Sequence, residues 1–434
     1  MALRAKVAAA GVCLVAIAGV VADSAAAGAP TGQANRHGCE DAGKAKSSVQ
    51  PPLRTDGRWI IDAKRRRVQL AGVNWYGAEE RDQVVGGLDH QPLDRIAACI
   101  AAMGFNSVRL PFSNALVREQ RPLTEIAPEV TGRFVRENRK LLTRSGGRPA
   151  RPIDVYGAVV GALARHKLLV ILDNHMTAND WCCNTGDGSS LWFDQFPGEH
   201  CAAGAMPPCG PQGAFTEADW IDDWRTMVRR FRKQPAVVGV DLRNEVRPDS
   251  VVQPTVSAGW ASGPPELDWH RAATTAGNAV LAENRDLLVI VEGLVFAVDL
   301  GPAASAPVEL AVRDRLVLSP HTYPWLWTAS ASELPSALES AWTPFLTGAR
   351  PVPIWLGEFG TNTTEPAQPW LDQMLATLER TGVGWCWWPL NGTQSAGRTR
   401  TAGARETFGI LDAEWSEPAN PELTARLRAL ARRS

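Results

Sequence analysis

Short runs of apolar, β-branched residues recur along this chain, separated by stretches with helical periodicity. The runs are Val68 to Val73, Ser107 to Leu110, Leu168 to Leu172, Val237 to Leu242, Leu287 to Val291, Leu316 to Leu318, Pro353 to Leu356 and Val383 to Trp387. They read as eight strands. Their unbroken apolar character suits strands covered on both faces, as in a parallel sheet. Between them, Leu93, Ile96, Ala97 and Ile100 repeat at helical spacing after Pro92 and stop at Gly104. Trp220, Trp224, Met227, Val228 and Phe231 mark a second helix, opened by Thr216 and ended before Pro235. Asp268 to Asn284, Trp370 to Arg380 and Pro421 to Arg432 supply three more. Strand and helix alternating about eight times predicts an α/β protein, a single-domain (β/α)8 TIM barrel. The competing doubly wound sheet lacks a G-x-G-x-x-G between a strand and a helix. Gly57 to Ile61 and Arg67 onward read as a hairpin at the barrel floor, and Arg65-Arg66-Arg67 as a solvated turn.

The chain's start has a different character. Arg4 and Lys6 precede an uncharged apolar run, Val7 to Val21, and Ala25-Ala26-Ala27 offers a small-residue cleavage site. Residues 1–27 therefore read as a secretory signal, too short in its apolar part for a confident membrane span. Residues 28–52 read as a flexible, polar lead-in, and 53–434 as the barrel. We expect a secreted, extracellular protein, periplasmic or wall-associated placement remaining open, with no stable membrane insertion.

Composition changes this picture in two places. Acids and bases nearly cancel, at a formal charge of −1, which argues against holding nucleic acid by bulk charge. Seventeen tryptophans stand beside only three tyrosines, and indoles are both core packing and flat platforms for sugars. Four of the eight cysteines crowd one segment: Cys182, Cys183, Cys201 and Cys209. In a secreted chain that clustering favours disulfides, with the pairing left open. Zinc, with His200 beside Cys201, is the lesser alternative, because the paired C-x-x-C spacing is missing. Cys99 and Cys386 read as buried thiols. We expect no cofactor and no metal.

In a barrel of this kind the chemistry sits where strands end. The fourth run enters Arg243-Asn244-Glu245 and the seventh enters Glu358-Phe359-Gly360. Two carboxyl groups facing one cleft are what glycoside hydrolysis needs: one gives a proton to the leaving oxygen, and the other attacks carbon or activates water. Either glutamate alone is equally well read as a salt bridge at a loop start. The other strand ends are polar too: Asn74 and Trp75, Arg109, Asp173-Asn174-His175, Glu292, His321-Thr322-Tyr323, and Trp388 with Asn391. A buried arginine is costly without a partner, so Arg109 requires a carboxylate nearby. Glu79, Glu80 and Glu292 are further carboxylates near the mouth, each read first as a loop salt bridge or helix cap, with substrate contact the lesser alternative.

In this order the motifs resemble family 5 of the glycoside hydrolases, the cellulase-like retaining enzymes. The matching elements are Gly104 to Pro111, Arg243-Asn244-Glu245, His321-Thr322-Tyr323, Leu356 to Gly360 and Trp385 to Asn391. The resemblance implies Glu245 as acid/base and Glu358 as nucleophile, with their carboxyl groups about 5–5.5 Å apart. It implies Asn244 on the sugar 2-hydroxyl, and Arg109 and Tyr323 on Glu358. His175 and His321 would line the cleft, Trp388 would floor the sugar site, and Trp75 would also bind substrate. The expected partner is a carbohydrate substrate. The segment Trp387-Trp388-Pro389-Leu390-Asn391-Gly392 departs from the family pattern, and the loops 112–152 and 174–215, the second carrying Trp181 and Trp192, are long enough to narrow the groove. Open alternatives are a non-catalytic carbohydrate-binding barrel or, within the enzyme class, a β-mannanase, an exo-β-glycosidase or an endoglycosylceramidase-like activity. Another barrel hydrolase ranks last, since no G-x-S-x-G or H-E-x-x-H occurs. Oligomeric state is left open.

Overall fold

The computed structural model describes residue 39 and residues 49–194, 215–250, 255–326 and 333–432. The signal-like start, most of the lead-in, and His200, Cys201 and Cys209 lie outside the described residues.

The chain opens with a hairpin, β1 (Arg54–Asp56) against β2 (Trp59–Ile61), turning at Gly57 with φ of 55°. A left-handed backbone there suits glycine. Arg65 and Arg66 pair with Asp56 and Asp62, and Arg67 lies over the Trp59 ring.

Nine parallel strands follow among the described residues: β3 (Ala71–Asn74), β4 (Ser107–Ser113), β5 (Leu169–Met176), β6 (Val237–Asp241), β7 (Leu288–Glu292), β8 (Leu316–Ser319), β9 (His321–Thr322), β10 (Trp355–Phe359) and β11 (Gly384–Trp387). Their order is β8-β7-β6-β5-β4-β3-β11-β10-β9. The count exceeds eight because the sixth strand, predicted only over Leu316 to Leu318, resumes as β9 beyond a break at Pro320, which has no N–H to offer the ladder. Below the break Leu318 bridges Ile354 in parallel, so the ring closes. Above it His321 pairs with Glu358 and Thr322 with Phe359.

Helices separate the strands: α1 (Leu93–Ala102), α2 (Pro152–Arg165), α3 (Glu217–Phe231), α4 (Trp269–Glu283), α5 (Leu334–Leu346), α6 (Gln368–Thr381) and α7 (Pro421–Ala431). Helix α3 starts where its sequence predicts. The Thr216 hydroxyl accepts from the Asp219 N–H while the Asp219 carboxylate accepts from the Thr216 N–H, a reciprocal cap. Sequence analysis did not name α2 or α5. The first lacks charge-marked periodicity, and the second carries Pro344 in its interior, a residue that ordinarily argues against a helix.

Alternation along the strands divides the interior. Leu169 and Ile171 of β5, Leu288 and Ile290 of β7, Val317, Trp355 and Cys386 face inward and pack with Ile60 and Val68. The residues between them, Val170, Leu172, Val289, Val291 and Leu318, belong to the layer shared with the helices. The same period of two carries the inward face on to Asp173 and Glu292. The floor is apolar and the mouth is charged.

Candidate active site

Arg109 stands at the centre of the mouth, fully buried on β4. Its Nε donates to Asp241 Oδ2 at 2.9 Å. Its Nη1 donates to Glu358 Oε1 at 2.7 Å and to Asn74 Oδ1 at 3.2 Å, and lies 3.1 Å from Asp173 Oδ2. Its Nη2 donates to Glu292 Oε1 and to Asn244 Oδ1, both at 2.9 Å. One guanidinium thus organises four carboxyl groups and two amides. Burial works against its charge, but the surrounding carboxylates outweigh burial and push its pKa well above the ordinary value.

The carboxyl groups do not all carry charge. Burial pushes Asp173 up to about 8 despite Arg109, and pushes Asp241 well above the carboxylate range. Glu292 goes the other way. Burial opposes its charge, but His321 and Arg109 hold it down at about 2. Glu292 Oε2 also accepts the main-chain N–H of Glu245 at 2.6 Å. That residue has a left-handed backbone, φ 46°, so Glu292 clamps the turn on which Glu245 rides.

His321 links the two glutamates named from sequence. Its Nδ1 lies 3.0 Å from Glu245 Oε1 and 3.7 Å from Glu358 Oε2, and its Nε2 lies 3.3 Å from Glu292 Oε1. Burial disfavours the imidazolium, yet Glu292 and Glu358 outweigh it and raise its pKa well above the usual histidine value. With both nitrogens protonated, the ring donates toward Glu245 and Glu292. An oxygen of Glu245, a nitrogen of His321 and an oxygen of Glu358 all lie within 4.8 Å of one another. The Tyr323 hydroxyl completes the shell, donating to Glu358 Oε2 at 2.7 Å. Gly357 makes the approach possible: a Cβ there would stand 2.9 Å from His321 Nε2.

One wall of the mouth is aromatic. Trp388 stacks on His175 (5.3 Å, 6°) and on Tyr76 (5.5 Å, 16°), and Trp181 tilts against it. Asp173 accepts from His175 at Nδ1 across 2.7 Å, and burial lowers the histidine pKa to about 3, so the ring is neutral. The structure therefore gathers Glu245, Glu358, Asn244, Arg109, His321 and Tyr323 around one point, with His175 and Trp388 beside them. It does not bring Trp75 there. That indole lies in the core with its N–H donated to the Gly86 carbonyl, and Tyr76 takes the place at the wall. Trp192 is likewise core, packed on Trp220 and Trp269, whereas Trp181 reaches the wall. Glu79 is buried, accepts the Gly77 N–H and is pushed up to about 8 by burial, so it makes no loop salt bridge.

Sequence reasoning assigned no role to Asp173, Asp241 or Asn74, and left Glu292 undecided. Their signal was positional: Asn74, Asp241 and Glu292 end their strands and Asp173 lies in the upper half of β5, all within reach of Arg109. Cys99 differs from its sequence reading: it lies against Cys39, with the Cα atoms 4.5 Å apart, rather than standing alone as a thiol. Cys182 lies against its neighbour Cys183, and Cys386 is free and buried, as read from sequence. Two trios bring potential metal ligands together among the described residues: His175 with Cys182 and Cys183, and Glu245 with His321 and Glu358. The first includes the two adjacent sulfurs of Cys182 and Cys183, and the second is the glutamate pair with its histidine.

A parallel barrel with paired glutamates, a buried arginine and an aromatic wall at the strand ends is the architecture of a glycoside hydrolase. The chain belongs to the cellulase family, glycosyl hydrolase family 5, whose model matches residues 61–394. It is 26% identical over 397 residues to an endoglucanase of Paenibacillus polymyxa, covering 85% of each chain. It is 26% identical over 393 residues to the major extracellular endoglucanase of Xanthomonas campestris pv. campestris, covering 85% of this chain and 69% of that one. The catalytic domain of the Xanthomonas enzyme shares the fold at a TM-score of 0.66, with 24% identity over 87% of this chain and 99% of that one. An endocellulase of Pyrococcus horikoshii, solved with cellotetraose, does so at 0.66 with 21% identity over 87% and 98%.

Proposed function

We propose that the protein is a secreted, retaining endo-β-glucanase that uses Glu245 as acid/base and Glu358 as nucleophile. The observation that carries this reading is the meeting of the two carboxyl groups and His321 within 4.8 Å. A retaining pair sits about 5–5.5 Å apart, and an inverting pair is wider, to admit a water. Glu245 gives its proton to the leaving oxygen while Glu358 attacks the anomeric carbon and the glycosidic bond breaks. Water then attacks the glycosyl ester, Glu245 takes its proton, and Glu358 is released. Arg109 and Tyr323 aim one oxygen each of Glu358. Asn244, held by Arg109, is placed for the sugar 2-hydroxyl. Trp388 supplies a face for the ring at the bond. Trp325, 55% exposed and stacked on Tyr323 at 4.4 Å, supplies another at the rim.

Glucan and internal cleavage are the choices favoured by the endoglucanase names of the relatives and by the cellotetraose bound to the Pyrococcus enzyme. Secretion follows from the signal-like start and from the extracellular Xanthomonas relative. The test is hydrolysis of β-glucans, β-mannan, cello-oligosaccharides and glycolipids with product lengths read out. We expect mid-chain cuts in glucan, and turnover reduced about 10³-fold or more in Glu245→Gln and Glu358→Gln with unchanged melting curves. Near-native activity in either variant would overturn the assignment of that glutamate. Mannan or glycolipid as the preferred substrate would overturn the glucan reading alone.

A further inference from the structure

The segment that follows β5 carries two adjacent cysteines to the base of the aromatic wall. Three arginines from the loops after β3 and β11 pin it there. Arg81 pairs with Asp180 at 3.1 Å, the Arg398 main-chain N–H donates to Asp180, and the Arg400 guanidinium lies 3.8 Å over the Trp181 ring. Trp181 in turn meets Tyr76 edge-on at 5.6 Å. The pinning leaves Cys182 and Cys183 against Asn244. The Asn244 Nδ2 lies 3.4 Å from Cys182 Sγ and 3.3 Å from Cys183 Sγ. Its Oδ1 is held on the opposite side by Arg109.

We propose that Cys182 and Cys183 are joined as a disulfide in the working protein, and that this bond positions the Asn244 amide for the sugar 2-hydroxyl. The inference rests on the glycosidase reading above. Sulfur is a weak acceptor, so it orients the NH2 group without saturating it. The amide keeps its proton available to a sugar oxygen and pays little to turn from one acceptor to the other. Two bonded sulfurs form one rigid surface. Two separate thiols rotate independently and bring S–H groups of their own to the amide. The disulfide is thus a positioning element, acting on substrate through Asn244.

The experiment uses the full chain. Alkylation without reductant, followed by mass spectrometry, reads the bond directly: the peptide holding both cysteines should be unlabelled and two hydrogens lighter than its dithiol form. Reduction with a dithiol adds one hydrogen to each Sγ and leaves the reagent as its own cyclic disulfide. Turnover is then measured on an aryl β-cellobioside and on its analogue lacking the 2-hydroxyl of the ring facing Asn244. Reduction should lower kcat/KM on the first substrate by roughly 10-fold and on the second by less than about 2-fold. Reoxidation should restore the wild type. Cys182→Ala/Cys183→Ala should show the same selective loss without reductant, which separates this bond from that of Cys39 and Cys99. In an Asn244→Ala background, reduction should change nothing further. Alkylation of both cysteines before reduction, or equal losses on both substrates, would overturn the inference. A wild type that cleaves neither glycoside would overturn the glycosidase reading and this inference with it. A wild type that cleaves both but ignores reduction would overturn this inference alone.

Discussion

The inward faces of the same strands build two unlike interiors. Near the floor, Leu169, Ile171, Leu288, Ile290, Val317 and Trp355 pack as an ordinary apolar core. A few residues further along, the same faces present Asp173, Glu292 and Arg109. The floor holds together by excluding water and filling space, and any well-fitting apolar set would serve. The mouth holds together through specific pairings, above all those of the Arg109 guanidinium with Asp241, Glu358, Glu292, Asn74 and Asn244. It stays coherent because burial keeps protons on Asp173 and Asp241, so Arg109 and His321 do not face a full set of anions. One region is tolerant in chemistry and strict in volume. The other is the reverse.

Paired substitutions break that contrast most sharply. Arg109→Met preserves bulk but strands carboxyl groups around an apolar side chain, so it should cost about 3–5 kcal/mol of stability and abolish turnover. Ile290→Ala on β7 should cost about 2–5 kcal/mol by leaving a cavity, yet the folded fraction should keep near-native kcat. Denaturant unfolding with active-site titration reads both. If Ile290→Ala lost turnover in proportion to Arg109→Met, the two interiors would not be separable.

A milder cut sharpens the roles inside the mouth. Tyr323→Phe removes one donor from Glu358 and leaves Arg109 in place. A hydrogen bond to a charged group contributes about 1.5–3 kcal/mol, so kcat should fall roughly 10- to 100-fold with little change in melting temperature. A change in KM alone would place Tyr323 in substrate binding.

The smallest effect tests the protons. Asp173 has a folded-state pKa of about 8, above its unfolded value of roughly 4. The folded state therefore binds the extra proton between those values. Its stabilising contribution is full below about pH 4 and is lost as pH rises through 8. Asp173→Asn is neutral at every pH, so it should gain on the wild type in melting temperature between pH 5 and pH 9. His175, lowered to about 3, acts in the opposite sense, favouring the folded state as pH rises from 3 to about 6.5. A constant gap between the wild type and Asp173→Asn across that range would show that Asp173 is already ionised.

Much of this was legible in the amino-acid sequence because its signals are local. Apolar runs bounded by polar residues marked every barrel strand but the short β9 to within a few positions, and Thr216 marked the start of α3 by its own hydrogen bonding. Glu245 and Glu358 stood out because each follows such a run directly. What local pattern does not carry is which way a side chain turns once its strand has ended. Trp75 and Tyr76 are neighbours at the end of β3, and only the closed ring decides that the tyrosine reaches the wall while the tryptophan enters the core. Asp241 drew no role from its place in the fourth run because its partner, Arg109, lies 132 residues away in sequence. The pairing of Cys39 with Cys99 was hidden in the same way, by a separation of 60 residues.

The break at Pro320 has a consequence for how the molecule comes to be ready for its substrate. Because the lower half of that strand fastens to Ile354 and the upper half to Glu358, a single stretch of chain both seals the cylinder and sets His321 alongside Glu245 and Glu358. The missing N–H is a covalent property of the proline ring, so the offset is built into the chain itself. Assembly of the barrel wall and calibration of the chemistry are one event, completed before any sugar arrives.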